Sequence, residues 1–199
     1  MGTTLCLSEP THLFLGGCSM YPNDGCGPRN LVEELAFQGS AESALRVQTA
    51  VLASFKRREE ELMQKIGSGV RKVVLERSCL SGVAFVDSCP PLDNFDKALL
   101  KETIRHVATG LHNEDGVLSL EGVIWLRCRP QVALQRVEQR GRAFEQGITQ
   151  QYLESLDGAY EDLLLRDGYA PLKPKSIRVL QVDDWSPAET ASQVIQLMK

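Results

Sequence analysis

Apolar residues recur along this chain with two different periods, and segments of the two kinds alternate. Short runs rich in β-branched and apolar residues predict four strands: "TTLCLS", "KVVLE", "GVIWLRC" and "IRVLQVD". Apolar residues spaced three and four apart predict six helices. These are "NLVEELAFQ", "ESALRVQTAVLASFKRREEELMQKI", "FDKALLKETIRHVATGL", "PQVALQRVEQRGRAF", "TQQYLESLDGAYEDLLL" and "PAETASQVIQLMK". The alternation predicts an α/β fold, a parallel sheet flanked by helices, in one domain over residues 1–199.

A parallel sheet also indicates where a ligand would bind, because ligands of such sheets lie at the carboxyl ends of the strands. The residues at these places are Glu9, 76–78, 127–129 and 183–184. At most of them a carboxylate stands alone or beside an arginine. This is more charge than a purely structural sheet needs.

Composition narrows the class of protein. The chain is 43% hydrophobic and 24% charged, and its formal net charge is −4, so it lacks the basic surplus of a typical nucleic-acid-binding protein. No apolar run approaches the ~18 residues of a membrane span, and the first residues resemble neither a secretory signal nor a transit peptide. We therefore expect a soluble intracellular protein with no nucleic-acid or membrane partner.

The segment "IGSGVRK", residues 66–72, resembles part of a phosphate-binding loop. A Walker loop has the pattern G-x-x-x-x-G-K-[ST] between a strand and a following helix. This segment has glycines but no Lys-Ser or Lys-Thr after them, and it leads into a predicted strand. We therefore interpret it as a turn between a helix and a strand.

Two other strand ends carry candidate chemistry. Glu76 and Arg77 directly follow "KVVL", where a carboxylate can meet a hydrated metal ion and a guanidinium can meet a phosphate or a hydroxyl. Glu9 follows "LCLS" and precedes Pro10, a suitable place for a general base acting on a substrate hydroxyl. Taken singly, such residues are more often ordinary strand-end charges.

A third candidate is a cluster of arginines. Arg136 and Arg140 lie four residues apart on one predicted helical face, and Arg142 and Glu145 follow in the next turn. Arginine forks bind phosphate oxygens in pairs, so the cluster suits a lid that closes on a polyphosphate. The alternative is a solvated helical face with charge pairs such as Glu138 with Arg142.

Taken in order, four motifs resemble the deoxynucleoside kinase family, which includes thymidine and deoxycytidine kinases. The motifs are Glu-Pro after a strand, a helix bearing Gln48, "ERS" after a strand, and "RVEQRGRAFE" followed by "YLESL". The resemblance extends from about residue 5 to residue 184. It implies a P-loop kinase-like three-layer fold and transfer of the ATP γ-phosphate to the 5′-hydroxyl of a deoxynucleoside, with Mg²⁺. It also implies a homodimer.

The resemblance assigns roles on the nucleoside side of such a site. Glu9 would be the general base at the 5′-hydroxyl, Phe14 would line the nucleoside pocket, and Gln48 would bind the edge of the base. Phe37 stands where the family usually has a tyrosine that binds the 3′-hydroxyl, so that contact is expected to be lost. Val47 replaces the aromatic residue that usually precedes the glutamine, so the base is expected to be less firmly packed. The segment after "ERS" is one residue shorter than in the family, with Gly82 and Val83 near the positions that distinguish bases, which leaves the base preference open.

It assigns a second set of roles on the phosphate side. Glu76 would help hold Mg²⁺, and Arg77 would orient the 5′-hydroxyl and the transferred phosphoryl group. Glu145 would bind the sugar 3′-hydroxyl. The lid residues on the phosphates would be Arg136, Arg140 and Arg142.

One departure from the family pattern lies at the start of the chain. Family members have a strand and a phosphate loop before Glu-Pro, whereas here Met1 is only eight residues before Glu9. We therefore expect the first, central strand of the family order 2-3-1-4-5 to be missing. A search of the coding DNA upstream of Met1 for an in-frame phosphate loop would test this.

Three functional hypotheses remain open from the sequence. The first is a nucleoside kinase, cytoplasmic, or mitochondrial if the true N-terminus is missing. The second is a non-catalytic nucleoside-binding or dimerisation relative that binds no nucleoside triphosphate. The third is a thymidylate-type nucleotide kinase, which should carry a second arginine site near "ERS", whereas the residues that follow, "CLSGVAFV", are apolar.

Overall fold

The structure is a computed structural model that describes residues 3–7, 39–66, 70–111, 122–142, 145–166 and 174–198. Four strands and six helices lie within these ranges. The strands are β1 (Thr3–Leu7), β2 (Val70–Leu75), β3 (Val123–Arg127) and β4 (Ile177–Gln181). The helices are α1 (Ala41–Ile66), α2 (Cys79–Asp87), α3 (Asn94–Leu111), α4 (Pro130–Arg140), α5 (Gln150–Leu165) and α6 (Pro187–Leu197). The chain divides into two compact units, residues 1–118 and 119–199.

The first unit contains a parallel pair of strands. In this pair β1 lies beside β2, with Leu5 opposite Val73 and Leu7 opposite Leu75. The helices α1, α2 and α3 pack against one another in the same unit. Their contact surfaces are apolar. Helices α1 and α3 repeat buried residues at the spacing of one helical face, and α2 is almost entirely apolar. The buried set includes Phe55 and Leu62 on α1, Val83 and Val86 on α2, and Leu100 and Ile104 on α3.

Helix α2 was not predicted from the sequence. Its residues, "CLSGVAFVD", are almost all apolar and mostly buried, so they lack the alternation of apolar and polar positions that identifies a surface helix. The helix begins after Ser78, whose backbone N–H donates to Ser81 Oγ at 3.4 Å. This Ser-x-x-Ser pattern was the local signal for a helix start.

The second unit is also built on a parallel pair of strands. Strand β3 lies beside β4, with Trp125 opposite Val179 and Arg127 opposite Gln181. Trp125 is buried and stacks on Tyr160 of α5, with ring centroids 6.0 Å apart. Arg127 binds Asp157 Oδ2 at 2.6 Å and Glu161 Oε2 at 2.7 Å, which ties the end of β3 to α5.

The structure corrects the predicted end of α4. The sequence pattern extended this helix to Phe144, whereas the helix ends at Arg140. Gly141 takes the left-handed conformation, with φ 64°, and its N–H donates to the carbonyl of Val137. Glycine adopts this conformation without a Cβ penalty, so it ends the helix. Arg142 therefore lies beyond the helix and not on its next turn.

The other predictions of secondary structure agree with the described residues. The α/β class built on parallel strands, consistent with a P-loop kinase-like fold, is confirmed. In the family order 2-3-1-4-5, strand 2 lies beside strand 3 and strand 4 lies beside strand 5. The observed pairs β1–β2 and β3–β4 correspond to these two pairs. The predicted helix "NLVEELAFQ" and the glycines of "IGSG" lie outside the described residues. The single domain over residues 1–199 stays a prediction.

Candidate functional site

The first unit presents a charged turn at the carboxyl end of β2. Glu76 and Arg77 lie between the end of β2 and the start of α2, and both are exposed. Arg77 has a φ of 59°, in the left-handed region that residues other than glycine rarely occupy. Its guanidinium carbon lies 4.6 Å from the centroid of the Phe85 ring on α2. A strained residue at a strand end is a common feature of binding and catalytic sites.

The backbone of this turn is held by Arg58 of α1, a residue that the sequence analysis did not single out. Arg58 Nη1 donates to the carbonyl of Glu76 at 2.9 Å, and Arg58 Nη2 donates to the carbonyl of Arg77 at 2.5 Å. Arg58 is only 7% exposed, and its guanidinium carbon lies 5.0 Å from the centroid of the Phe55 ring. The available signal was its spacing from Phe55 and Leu62, which places a charge on the buried face of α1.

Gln48 lines a small pocket in the same unit. The pocket lies among α1, α2 and α3. Its lining is apolar except for the side-chain amide of Gln48. The other lining residues are Val51, Leu52, Phe55, Gly82, Val86, Leu100 and Ile104. A Cβ added at Gly82 would lie 3.3 Å from Ile104 Cδ1, so this glycine lets α2 and α3 approach closely. The pocket has a volume of about 10 Å³, room for about one water molecule, so with this packing it does not hold a nucleobase.

In the second unit, Arg136 binds the backbone. Its Nη2 donates to the carbonyls of Val182 and Asp183, both at 2.8 Å, and of Trp185 at 3.4 Å. These contacts connect α4 to the segment between β4 and α6. Binding of phosphate by Arg136 stays a prediction.

Arg140 and Arg142 share one carboxylate. Arg140 Nη2 lies 2.8 Å from Glu145 Oε2, and Arg142 Nη1 lies 3.5 Å from Glu145 Oε1. The side chain of Glu145 is 10% exposed, whereas the two arginine side chains are about half exposed. The structure thus brings these three predicted residues together, with two cations turned toward one nearly buried anion.

Replacement of Arg136 by methionine is expected to lower the free energy of unfolding of the second unit by about 1–2 kcal/mol. The reason is that the carbonyls of Val182 and Asp183 lose hydrogen bonds from a charged donor. Urea unfolding at neutral pH measures the change. Arg166→Met is the matched control in the same unit. Arg166 forms ion pairs but is 67% exposed, so its loss is expected to cost below about 1 kcal/mol. Equal stability of Arg136→Met and the wild type would contradict the assigned role.

Two further strand-end charges of the second unit, Arg127 and Asp183, are engaged within the protein. The side chain of Asp183 accepts from the backbone N–H of Arg129 at 2.7 Å, and this hydrogen bond holds the pKa of Asp183 below its usual value. The hydrogen bond from Arg127 likewise lowers the pKa of Glu161. Burial raises the pKa of the Cys128 thiol. The contacts of Asp183 connect the segment after β4 to the segment after β3, and the contacts of Arg127 connect β3 to α5.

A magnesium ion implied by the family resemblance would have Glu76 as its carboxylate. Mg²⁺ is usually held by one or two carboxylates together with waters and substrate phosphates, so an exposed carboxylate at a strand end fits it. Within the described ranges, no group of three or more His, Cys, Asp or Glu residues could hold a metal ion by itself. Glu9, Phe14 and Phe37 lie outside the described residues.

None of the helices that the structure describes is long and apolar enough to cross a membrane.

Comparison with known proteins adds an independent observation. A family model described as deoxynucleoside kinase matches residues 27–198. Deoxycytidine kinase 2 of Gallus gallus is 38% identical over 71 residues, which are 34% of this chain and 27% of that protein. Deoxycytidine kinase 1 of Xenopus laevis is 41% identical over 71 residues, with the same coverage. Deoxycytidine kinase of Mus musculus is 48% identical over 48 residues, which are 24% of this chain and 18% of that protein.

The matched stretches span about a quarter or less of the length of these curated relatives. The family model, in contrast, covers most of this chain, including the turn after β2, the Gln48 pocket and the arginine cluster. The chain therefore belongs to the deoxynucleoside kinase family.

Proposed function

We propose that this protein transfers the γ-phosphate of ATP to the 5′-hydroxyl of a deoxynucleoside, as a kinase of nucleotide salvage. The observation that carries the proposal is the turn after β2. It exposes the carboxylate of Glu76 and the guanidinium of Arg77 at the carboxyl end of a parallel strand, while Arg58 holds its backbone from the buried side. A fixed anion and cation at this place suit phosphoryl transfer, which depends mainly on positioning and charge neutralisation.

In this proposal each of the described site residues has a separate role. Gln48 binds the edge of the base, as the family resemblance implies. Arg77 orients the 5′-hydroxyl and the phosphoryl group that moves to it. Glu76 holds Mg²⁺, which supplies positive charge to the phosphate oxygens when it is bound. Arg140 and Arg142 bind the phosphates of the nucleotide, because a guanidinium can donate two parallel hydrogen bonds to two oxygens of one phosphate.

The family resemblance completes the proposal, with three residues outside the described ranges (Glu9, Phe14 and Phe37) and two within them (Glu145 and Arg136). Glu9 accepts the proton of the 5′-hydroxyl, and Phe14 and Phe37 line the nucleoside pocket. Glu145 binds the sugar 3′-hydroxyl, and Arg136 adds a third lid arginine. The active form is proposed to be a homodimer, which sedimentation velocity would test.

A second candidate function is nucleoside binding without phosphoryl transfer. The observation that favours it is that Gln48, the residue proposed to bind the base, and Arg77, proposed at the 5′-hydroxyl, both belong to the first unit.

One assay separates the two candidates. The purified chain is incubated with ATP labelled at its γ-phosphate, Mg²⁺ and each of the four deoxynucleosides. The products are then separated by chromatography. The kinase proposal predicts labelled 5′-monophosphate that requires both Mg²⁺ and nucleoside. Nucleoside binding in calorimetry without ATP binding or product would reject it and support the second candidate.

A further inference from the structure

We propose that Arg58 is a positioning residue that sets the main-chain conformation of Arg77 and thereby aims its guanidinium. The consequence for phosphoryl transfer rests on the proposed function, whereas the effect on conformation does not. Arg58 contacts no part of the expected substrate site directly in this proposal. It acts through the two backbone carbonyls that it binds.

The geometry of these hydrogen bonds determines what they fix. The carbonyl of Glu76 belongs to the peptide plane before the Cα of Arg77, and the carbonyl of Arg77 belongs to the plane after it. The orientations of these two planes about that Cα are the φ and ψ angles of Arg77. Because one planar guanidinium binds both oxygens, at 2.9 and 2.5 Å, it holds both angles together.

The conformation held in this way is a costly one. The left-handed region costs a residue with a side chain about 1–2 kcal/mol, and such strain persists only where surrounding contacts impose it. Arg77, with φ 59°, has that cost. The two charge-assisted hydrogen bonds from Arg58 are of the strength needed to offset it.

The burial of Arg58 supports a specific role. A buried guanidinium loses much of its hydration, so it is retained only where hydrogen bonds and favourable contacts replace the water. Arg58 is 7% exposed, whereas the side chain of its neighbour Arg57 is 71% exposed and lies 3.4 Å from Glu61. The two arginines share a helix and a charge but only Arg58 faces the turn.

Arg58 also connects the turn to the pocket. Phe55 lies beneath its guanidinium and is one of the residues that line the pocket with Gln48. The packing of the pocket and the conformation of Arg77 are therefore linked through one aromatic contact. This places Arg58 between the group that would bind the base and the group that would bind the phosphoryl.

The test compares Arg58→Met and Arg58→Lys with Arg57→Met as the matched control. Backbone NMR of the isotope-labelled chain reads the Cα and Cβ shifts of Arg77, which report its φ and ψ, and circular dichroism checks folding. We expect both Arg58 variants to move the Arg77 shifts away from left-handed values, and Arg57→Met to leave them unchanged. A folded Arg58→Met with wild-type shifts would overturn the proposal. If Arg58→Met does not fold, wild-type shifts in Arg58→Lys would overturn it in the same way.

Kinetics tests the functional consequence where the wild type has activity. We expect Arg58→Met to lower kcat by about tenfold or more while the KM for the nucleoside changes less than about threefold, because the lost interaction acts on the transition state. Wild-type kcat together with altered Arg77 shifts would reject the positioning role. An inactive wild type would reject the proposed function alone, since the NMR shifts still decide the role of Arg58.

Discussion

Replacement of Phe55 by alanine is expected to destabilise the first unit by about 3–5 kcal/mol, the usual range for removing a buried aromatic side chain. Phe55 is 1% exposed, so its loss leaves a cavity among helices that pack closely. The same change removes the ring beneath Arg58 and one wall of the Gln48 pocket. Urea unfolding followed by circular dichroism measures the stability.

Phe95→Ala is the matched control for this experiment. Phe95 lies on α3 in the same unit and is 74% exposed, so its removal creates no internal cavity. We expect its stability to stay within about 0.5 kcal/mol of the wild type. Similar losses in the two variants would show that the packing around Phe55 does not determine the stability of the unit.

If the proposed function is right and Glu9 is its general base, replacement of Glu9 by glutamine is expected to lower turnover by about 10²–10⁴-fold, the usual contribution of such a group. Glutamine keeps the size of the side chain and its hydrogen-bonding capacity but cannot accept the proton of the 5′-hydroxyl. Nucleoside affinity should therefore stay near that of the wild type. The measurements are kcat from the radiolabel assay and Kd from calorimetry.

Glu60→Gln provides the control for the loss of one negative charge. Glu60 lies on α1 with a side chain that is 54% exposed, and we expect its turnover to equal that of the wild type. A Glu9→Gln variant with wild-type turnover would remove Glu9 from the mechanism. A variant that also fails to bind nucleoside would assign Glu9 to binding.

The sequence predicted elements well where periodicity was strong. Long amphipathic helices such as Ala41–Ile66 and Gln150–Leu165 repeat apolar residues over several turns, so their pattern has one interpretation. The short segment Cys79–Asp87 is apolar on nearly every side, and a buried helix of that kind cannot be told from a buried strand by period. The predicted end of α4, at Phe144, was too late because the prediction followed the charged and apolar residues after Gly141 and did not treat Gly141 as a helix end.

The candidate site was predictable to the level of residue type. Strand-end positions pointed to Glu76 and Arg77, and the structure places both at the end of β2 and exposes them. The partners of these residues could not be predicted, because Arg58 reaches the turn across 18 and 19 positions of sequence. The three clustered arginines look equivalent in the sequence, yet Arg136 binds carbonyls while Arg140 and Arg142 bind Glu145.

The placement of the tryptophans gives the protein an internal reporter. Its two tryptophans, Trp125 and Trp185, both belong to the second unit. Tryptophan emission should therefore follow the unfolding of that unit, while far-ultraviolet circular dichroism follows the helices of both. Coincident midpoints would mean that the whole chain unfolds as one cooperative system, and separate midpoints would give each unit its own stability.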